Sequence, residues 1–186
     1  GDHRDLHSFP TRRSSDLTDM RFMFDNCTQL IEIPHLDTSS VTKMIGMFSG
    51  CTELKTIPPL DTSSVTDMGN MFSGCTELKE IPLLDTSSVT AMNGMFLECE
   101  NLEEIPRLNT SSATDMYKMF NGCVSLKQIP HLDTSGVTDM RLMFDNCYNL
   151  EKIPLELFEK VFSTEDKEDY PKLKNYFMLK EFMETY

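Results

Sequence analysis

Cys27, Cys51, Cys75, Cys99, Cys123 and Cys147 stand 24 residues apart in a chain of 186. Thiols at a fixed interval invite disulfide or metal chemistry, and an even count fits pairing. Constant phase argues the other way, because each thiol then lies beside two equivalent neighbours and nothing selects closed pairs. No C-x-x-C spacing occurs. Only His35 and His131 fall within the repeated region, neither on the cysteine phase, so zinc is disfavoured. The cysteines are read as buried free thiols that pack as small apolar residues, with disulfides as the alternative.

A second ladder is formed by Asp37, Asp61, Asp85, Asn109 and Asp133. A stacked acidic row can bind calcium, as in some β-rolls. The glycine-rich motif of such rolls is missing, and the following Thr-Ser-Ser suits turns in which short side-chain oxygens bond nearby backbone N–H groups. Serines recur in every block without a histidine in phase, and no paired carboxylates depart from the repeat. No catalytic residue, no metal and no cofactor is expected.

The elements that carry these ladders follow from the period. Met-Phe falls at 23–24, 47–48, 71–72, 95–96, 119–120 and 143–144, and Ile-Pro begins at 33, 57, 81, 129 and 153 and at 105. A drift-free period in this range marks a solenoid, whose core is made by stacking blocks that cannot bury an apolar face alone. In block 41–64, Met44, Met47, Phe48, Cys51 and Leu54 have the spacing of a short helix, predicted from Thr42 or Lys43 to Gly50. Ser64 to Asp67 and Ser112 to Asp115 offer capping boxes. Gly50, Gly74 and Gly122, with Asn26 and Asn146, suit a left-handed residue at the helix end. Leu54–Ile57 is a brief strand stopped by proline. The expected fold is α/β: a right-handed solenoid with one short strand and one short helix per 24-residue repeat, and a parallel sheet on one side. Phe24, Phe48, Phe72, Phe96, Phe120 and Phe144 should stack as one interior column, with methionines around it.

Blocks such as MFSGCTELKEIPLLDTSSVTDM resemble the BspA-like leucine-rich repeats of bacterial surface proteins, in a short variant, over roughly 18–154. The resemblance implies a leucine-rich-repeat solenoid, surface display or secretion, and adhesion to host or matrix molecules. Asn109, Ala113 and Gly136 depart from the pattern.

Three segments are read along the chain. Residues 1–17 resemble the translation of a short-read sequencing adapter, with a degenerate seventh repeat as the alternative; on the first reading genuine sequence starts at Thr18. Residues 18–154 are the six-repeat solenoid, whose upstream end should expose apolar side chains. Residues 155–186 are read as a helical cap, with Leu157, Phe158, Val161 and Phe162 at helical spacing. A second helix is read after Pro171, with pairs Leu173/Phe177, Met178/Phe182 and Leu179/Met183. A linker to another domain is the alternative.

Net charge is −13, which opposes phosphate-tracking nucleic-acid binding and a polybasic membrane anchor. No apolar run approaches the roughly 20 residues of a membrane helix. The varied phases are the ones that should face water. They include Lys55, Lys79, Glu80, Glu103, Glu104 and Lys127 on the strand, and Arg107 and His131 after Ile-Pro. The expected function is non-enzymatic adhesion by a monomer at the cell surface or in secreted form. It would bind a host or matrix protein or glycan through the face carrying these residues, with a plain solvated face and binding elsewhere or upstream as the alternative. A bacteriophage structural or receptor-recognition component and an intracellular interaction scaffold are the alternatives.

Overall fold

The computed structural model describes residues 17–162, 170–173 and 176–178. The readings of 1–16, of the polar break at 163–169, and of Leu179, Phe182 and Met183 lie outside the described residues.

The repeats stack as a solenoid. Phe24, Phe48, Phe72, Phe96, Phe120 and Phe144 form one column, with ring centroids 5.5–5.8 Å apart and planes within 9° of parallel. Met44, Met47, Met68, Met71, Met92 and Met95, with Met116, Met119 and Met143 downstream, are fully buried around it, and Met140 is partly buried. The column is one continuous core shared by all blocks, and no block holds a core of its own.

That spacing rules out the predicted helices. Packed α-helices need about 8–10 Å between axes, whereas paired strands need just under about 5 Å. Coils stacked at the ring spacing leave no room for a helix in each. Among the described residues of the repeats no α-helix forms. The chain instead turns through two left-handed corners per repeat. Phe22, Gly46, Asn70, Gly94, Lys118 and Leu142 make one set, and Asn26, Gly50, Gly74, Glu98, Gly122 and Asn146 the other, all with φ between 54° and 76°. A right-handed helix cannot continue through such a residue. The glycines and asparagines read as helix terminators are left-handed, but they terminate turns.

Backbone bonding follows from this path. From Met44 to Cys51, alternate amides close local turns: Met47 donates to Met44 O, Ser49 to Gly46 O and Cys51 to Phe48 O. The amides between them point along the stack, Met44 to Asp67 O (3.1 Å), Gly46 to Gly69 O (2.9 Å), Phe48 to Met71 O (2.9 Å) and Gly50 to Ser73 O (2.7 Å). An α-helix would have consumed the amides beyond its first turn internally. The bonds between coils therefore replace the helix and hold the blocks in register.

The predicted strand and sheet are also corrected. Parallel bridges run without a gap through Asp19, Lys43, Asp67, Ala91, Asp115 and Asp139, the phase where the helix was expected to start. At Leu54–Ile57 and its equivalents, bridges occur only between Glu32 and Thr56 and between Gln128 and Lys152. Nor do the capping boxes form. Asp67 Oδ1 accepts the Gly69 N–H at 3.0 Å and Asp115 Oδ1 the Tyr117 N–H at 2.9 Å, so each carboxylate caps a turn two residues ahead. A short acidic side chain does this wherever the backbone bends right after it.

Two polar ladders lie inside. Thr62, Thr86 and Thr110, the second residues of the Asp-Thr-Ser-Ser turns, are buried and donate to the carbonyls of Asp85, Asn109 and Asp133 in the next coil at 2.8–2.9 Å. Cys51, Cys75, Cys99, Cys123 and Cys147 donate their S–H to the carbonyls of Phe24, Phe48, Phe72, Phe96 and Phe120 in the preceding coil at 3.0–3.2 Å.

Downstream, helix α1 (Leu155–Val161) turns its buried Leu157 and Phe158 onto the stack. Phe162 continues the aromatic column, 6.0 Å from Phe144 and within 9° of parallel to it. The Tyr170 hydroxyl donates to Phe144 O at 2.7 Å, where a seventh thiol would have bonded. Pro171–Leu173 is a single 3₁₀ turn, and Leu173 and Phe177 are both buried. Upstream, Phe22 (56% exposed), Met23 (40%) and Cys27 are open to solvent.

An interior ring of the column is packed on both faces, so Phe96→Ala should lower unfolding free energy by about 3–5 kcal/mol. Phe24→Ala, at the exposed end, should cost less. Urea denaturation of the two variants measures the difference.

Candidate recognition surface

Three columns of varied residues run along the outside. One carries Ile31, Lys55, Lys79, Glu103, Lys127 and Glu151. The next carries Glu32, Thr56, Glu80, Glu104, Gln128 and Lys152, and the third His35, Pro59, Leu83, Arg107, His131 and Leu155. All are exposed except Gln128, which is half-buried. They share a face because the residue at each phase repeats its place in every coil.

Pairing on this face is uneven. Downstream, the charges satisfy one another: Lys127 Nζ meets Glu103 Oε2, Gln128 Nε2 donates to Glu104 Oε1 at 3.2 Å, and Lys172 Nζ donates to Glu151 Oε1 at 3.0 Å. Glu103 is held below the usual carboxylate range by its bond from Lys127, whose own pKa rises, and Lys172 lowers Glu151 in the same way. His131 lies 4.0 Å from Glu156. Upstream, Lys55, Lys79 and Arg107 hold no ion pair among the described residues. Glu80 stands beside Lys79 in sequence, and Leu83, 76% exposed, shares the column of Arg107. Exposed pairs in water contribute little and screen easily. Lys55, Lys79 and Arg107, with the open Leu83 beside them, therefore have contacts left to give, as does Lys152 farther along. Sequence periodicity placed these residues on one face, but not their pairing, which depends on side-chain reach across coils.

A second exposed series went unnoticed in the sequence. Thr42, Thr66, Thr90, Thr114 and Thr138 each donate Oγ1 to the threonine carbonyl of the preceding coil at 3.0–3.4 Å. The Val-Thr recurrence was its signal.

The acidic ladder is committed to turns. Oδ1 of Asp61 accepts both the N–H (3.1 Å) and the hydroxyl (2.7 Å) of Ser63, and Asp85 does the same with Ser87. Asn109 serves Ser111 identically, so the turn needs an acceptor and no charge. Among the described residues no three His, Cys, Asp or Glu groups converge as a metal-binding set. Among the cysteines, burial pushes Cys51 up to about 11 and Cys99 and Cys147 up to about 12. These thiols stay protonated, as their donor role requires. All six cysteines are free, and Cys27 alone of them is exposed.

Two outcomes are expected. In native chain, a thiol-alkylating reagent should label Cys27 and spare the other five, which become reactive on denaturation; intact-mass spectrometry counts the adducts. The second concerns acid. Asp61, Asp85 and Asp133 have pKa values lowered in the folded state, first by their serine hydroxyl bonds. Their stabilisation is present above the unfolded aspartate pKa and is lost as pH falls through the folded value. Asp85→Asn should keep the fold and flatten that acid-side decline in thermal melts.

With this geometry in place, the chain was compared with known proteins. A family model described as "Mycoplasma protein of unknown function, DUF285" matches residues 11–104 and again 76–167. No curated protein matches by sequence. Among solved structures, the T. pallidum leucine-rich repeat protein TpLRR is similar, with TM-score 0.55, 23% identity, and coverage of 73% of this chain and 62% of that one. A leucine-rich repeat protein from Bacteroides ovatus ATCC 8483 gives TM-score 0.44, 23% identity, and coverage of 75% and 42%. The chain thus spans less than two thirds of either protein. The likeness to the T. pallidum protein shows a fold of the leucine-rich-repeat solenoid kind.

Proposed function

The chain belongs to the DUF285 family of Mycoplasma proteins of unknown function, and from that premise we propose that it is a non-enzymatic recognition solenoid, a protein-interaction module. Its ligand is a host or matrix protein or glycan, and its setting is the cell surface or the secreted fraction. One observation carries this reading: the exposed columns vary from coil to coil while the interior repeats almost unchanged, so the side chains free to differ are those that face a partner. Lys55, Lys79 and Arg107, uncommitted to internal pairs, make the first contacts, with Leu83 supplying apolar area and Glu80 and Glu104 the opposite sign. Alternating signs on a regular lattice favour selection of a partner by charge pattern over strong general attraction. The net charge of −13 turns away nucleic acid and anionic membrane. No helix among the described residues is long and apolar enough to cross a membrane.

The test is capture on arrays of immobilised matrix proteins and glycans. A chain carrying Lys55→Glu, Lys79→Glu and Arg107→Glu should lose the signal while its melting curve stays that of the parent. Undiminished capture by the folded triple variant would remove this face from consideration.

A further inference from the structure

The last coil ends the stack with an edge of unusual chemistry. In each of the five inner junctions, four alternate amides donate to carbonyls of the next coil at 2.7–3.1 Å. The equivalent amides of the last coil, Met140, Leu142, Phe144 and Asn146, meet no acceptor among the described residues. The carbonyls from Asp139 through Asp145 are all taken, whereas those of Thr138 and Asn146, at the two ends, accept no bond among the described residues. Those of Asp139, Arg141, Met143 and Asp145 accept from the coil before, and those of Met140, Leu142 and Phe144 accept from turns within the coil. An ordinary strand edge alternates donors with acceptors. Between Thr138 and Asn146 this one offers donors alone.

The edge also borders a cavity. Residues 140–145 wall one side and Lys160, Val161, Phe162 and Tyr170 the other, enclosing about 370 Å³. Two places that a further coil would take are already filled, the ring by Phe162 and the hydrogen bond to Phe144 O by the Tyr170 hydroxyl. Among the described residues, what remains open is the place of its main chain. The walls carry no excess of positive charge: Arg141 is paired with Asp139 at 2.6 Å, Lys160 is bonded to Thr134, and Asp145 stands opposite in sign. With the whole chain at −13, a neutral acceptor is favoured over an anion.

We propose that this edge is a second docking site, distinct from the outer columns. Its occupant is a segment of a partner polypeptide that lies along 140–146 and presents main-chain carbonyls at alternate residues. Recognition is by main chain, as when a strand is added to a sheet. It tolerates proline wherever the partner's N–H would face the stretch from Asp139 to Asp145, since those carbonyls are already used. Leu142, 49% exposed, adds an apolar contact beside the slot.

The probe is a synthetic peptide of Thr114–Cys123, a sequence that offers the carbonyls of Asp115, Tyr117, Met119 and Asn121 to the coil before it in the fold. It is made in two forms, as it stands and with Phe120→Ala, and added to the full isotope-labelled chain. Nuclear magnetic resonance and amide exchange are read at Met140, Leu142, Phe144 and Asn146. Without peptide these four should exchange much faster than their counterparts in inner coils. Peptide should shift and protect them, the Phe120→Ala form binding more tightly because Phe162 already occupies the ring's place. In a Phe162→Ala chain the preference should reverse. The proposal is overturned if neither peptide moves these amides, or if the shifts map to another surface. Sodium sulfate alone protecting them equally would make the edge an anion site. The same shifts appearing on concentrating the chain without peptide would assign it to a second copy. Either result also overturns the proposal.

Discussion

Everything in this structure depends on the row of amides that each coil sends to the next. A turn-laden backbone leaves half of its N–H groups unsatisfied locally, and burying them without partners would cost more than the core returns. Giving them to the following coil solves this, and it also fixes the spacing at which the aromatic column forms. Rings 5.5–5.8 Å apart are the consequence of coils drawn together by these bonds. The same closeness denies each coil a helix. One constraint thus sets core, register and the shape of the repeat.

The interior polar groups obey the same economy. Thr62, Thr86 and Thr110 reach forward to the carbonyls of Asp85, Asn109 and Asp133, and buried thiols reach back to phenylalanine carbonyls. Each ladder is a column of side chains that can be satisfied only by a neighbour in register. A one-residue slip between coils would break all of them together, which makes the stack cooperative along its length. The downstream end keeps this economy by substitution, with a ring from Phe162 and a hydroxyl from Tyr170 standing in for the next block.

Outside, the logic reverses. The exposed columns carry no structural bond that the fold needs, so residues there differ from coil to coil. Where differing charges meet at a favourable separation, as at Glu103 and Lys127, they pair, and Lys79, whose neighbour Glu103 is bonded to Lys127, holds no ion pair among the described residues. A surface built by repetition therefore acquires an uneven chemistry.

The sequence by itself determined the repeat, its phase, the inward faces of Phe48, Met47, Cys51 and Leu54, and which residues were free to vary, because burial of an apolar side chain leaves a period that can be counted. It also marked Gly50 and Gly74 as left-handed, since only small residues take that conformation cheaply. It misled at Met44 to Gly50, where the apolar spacing of a helix and of a tight two-cornered turn is the same. Asn70 and Gly94, which mark the second corner, were the residues that distinguished them. The choice between the two paths was made by tertiary structure alone. A helix satisfies its amides within itself, this coil satisfies them in its neighbour, and only the distance between coils decides which is possible.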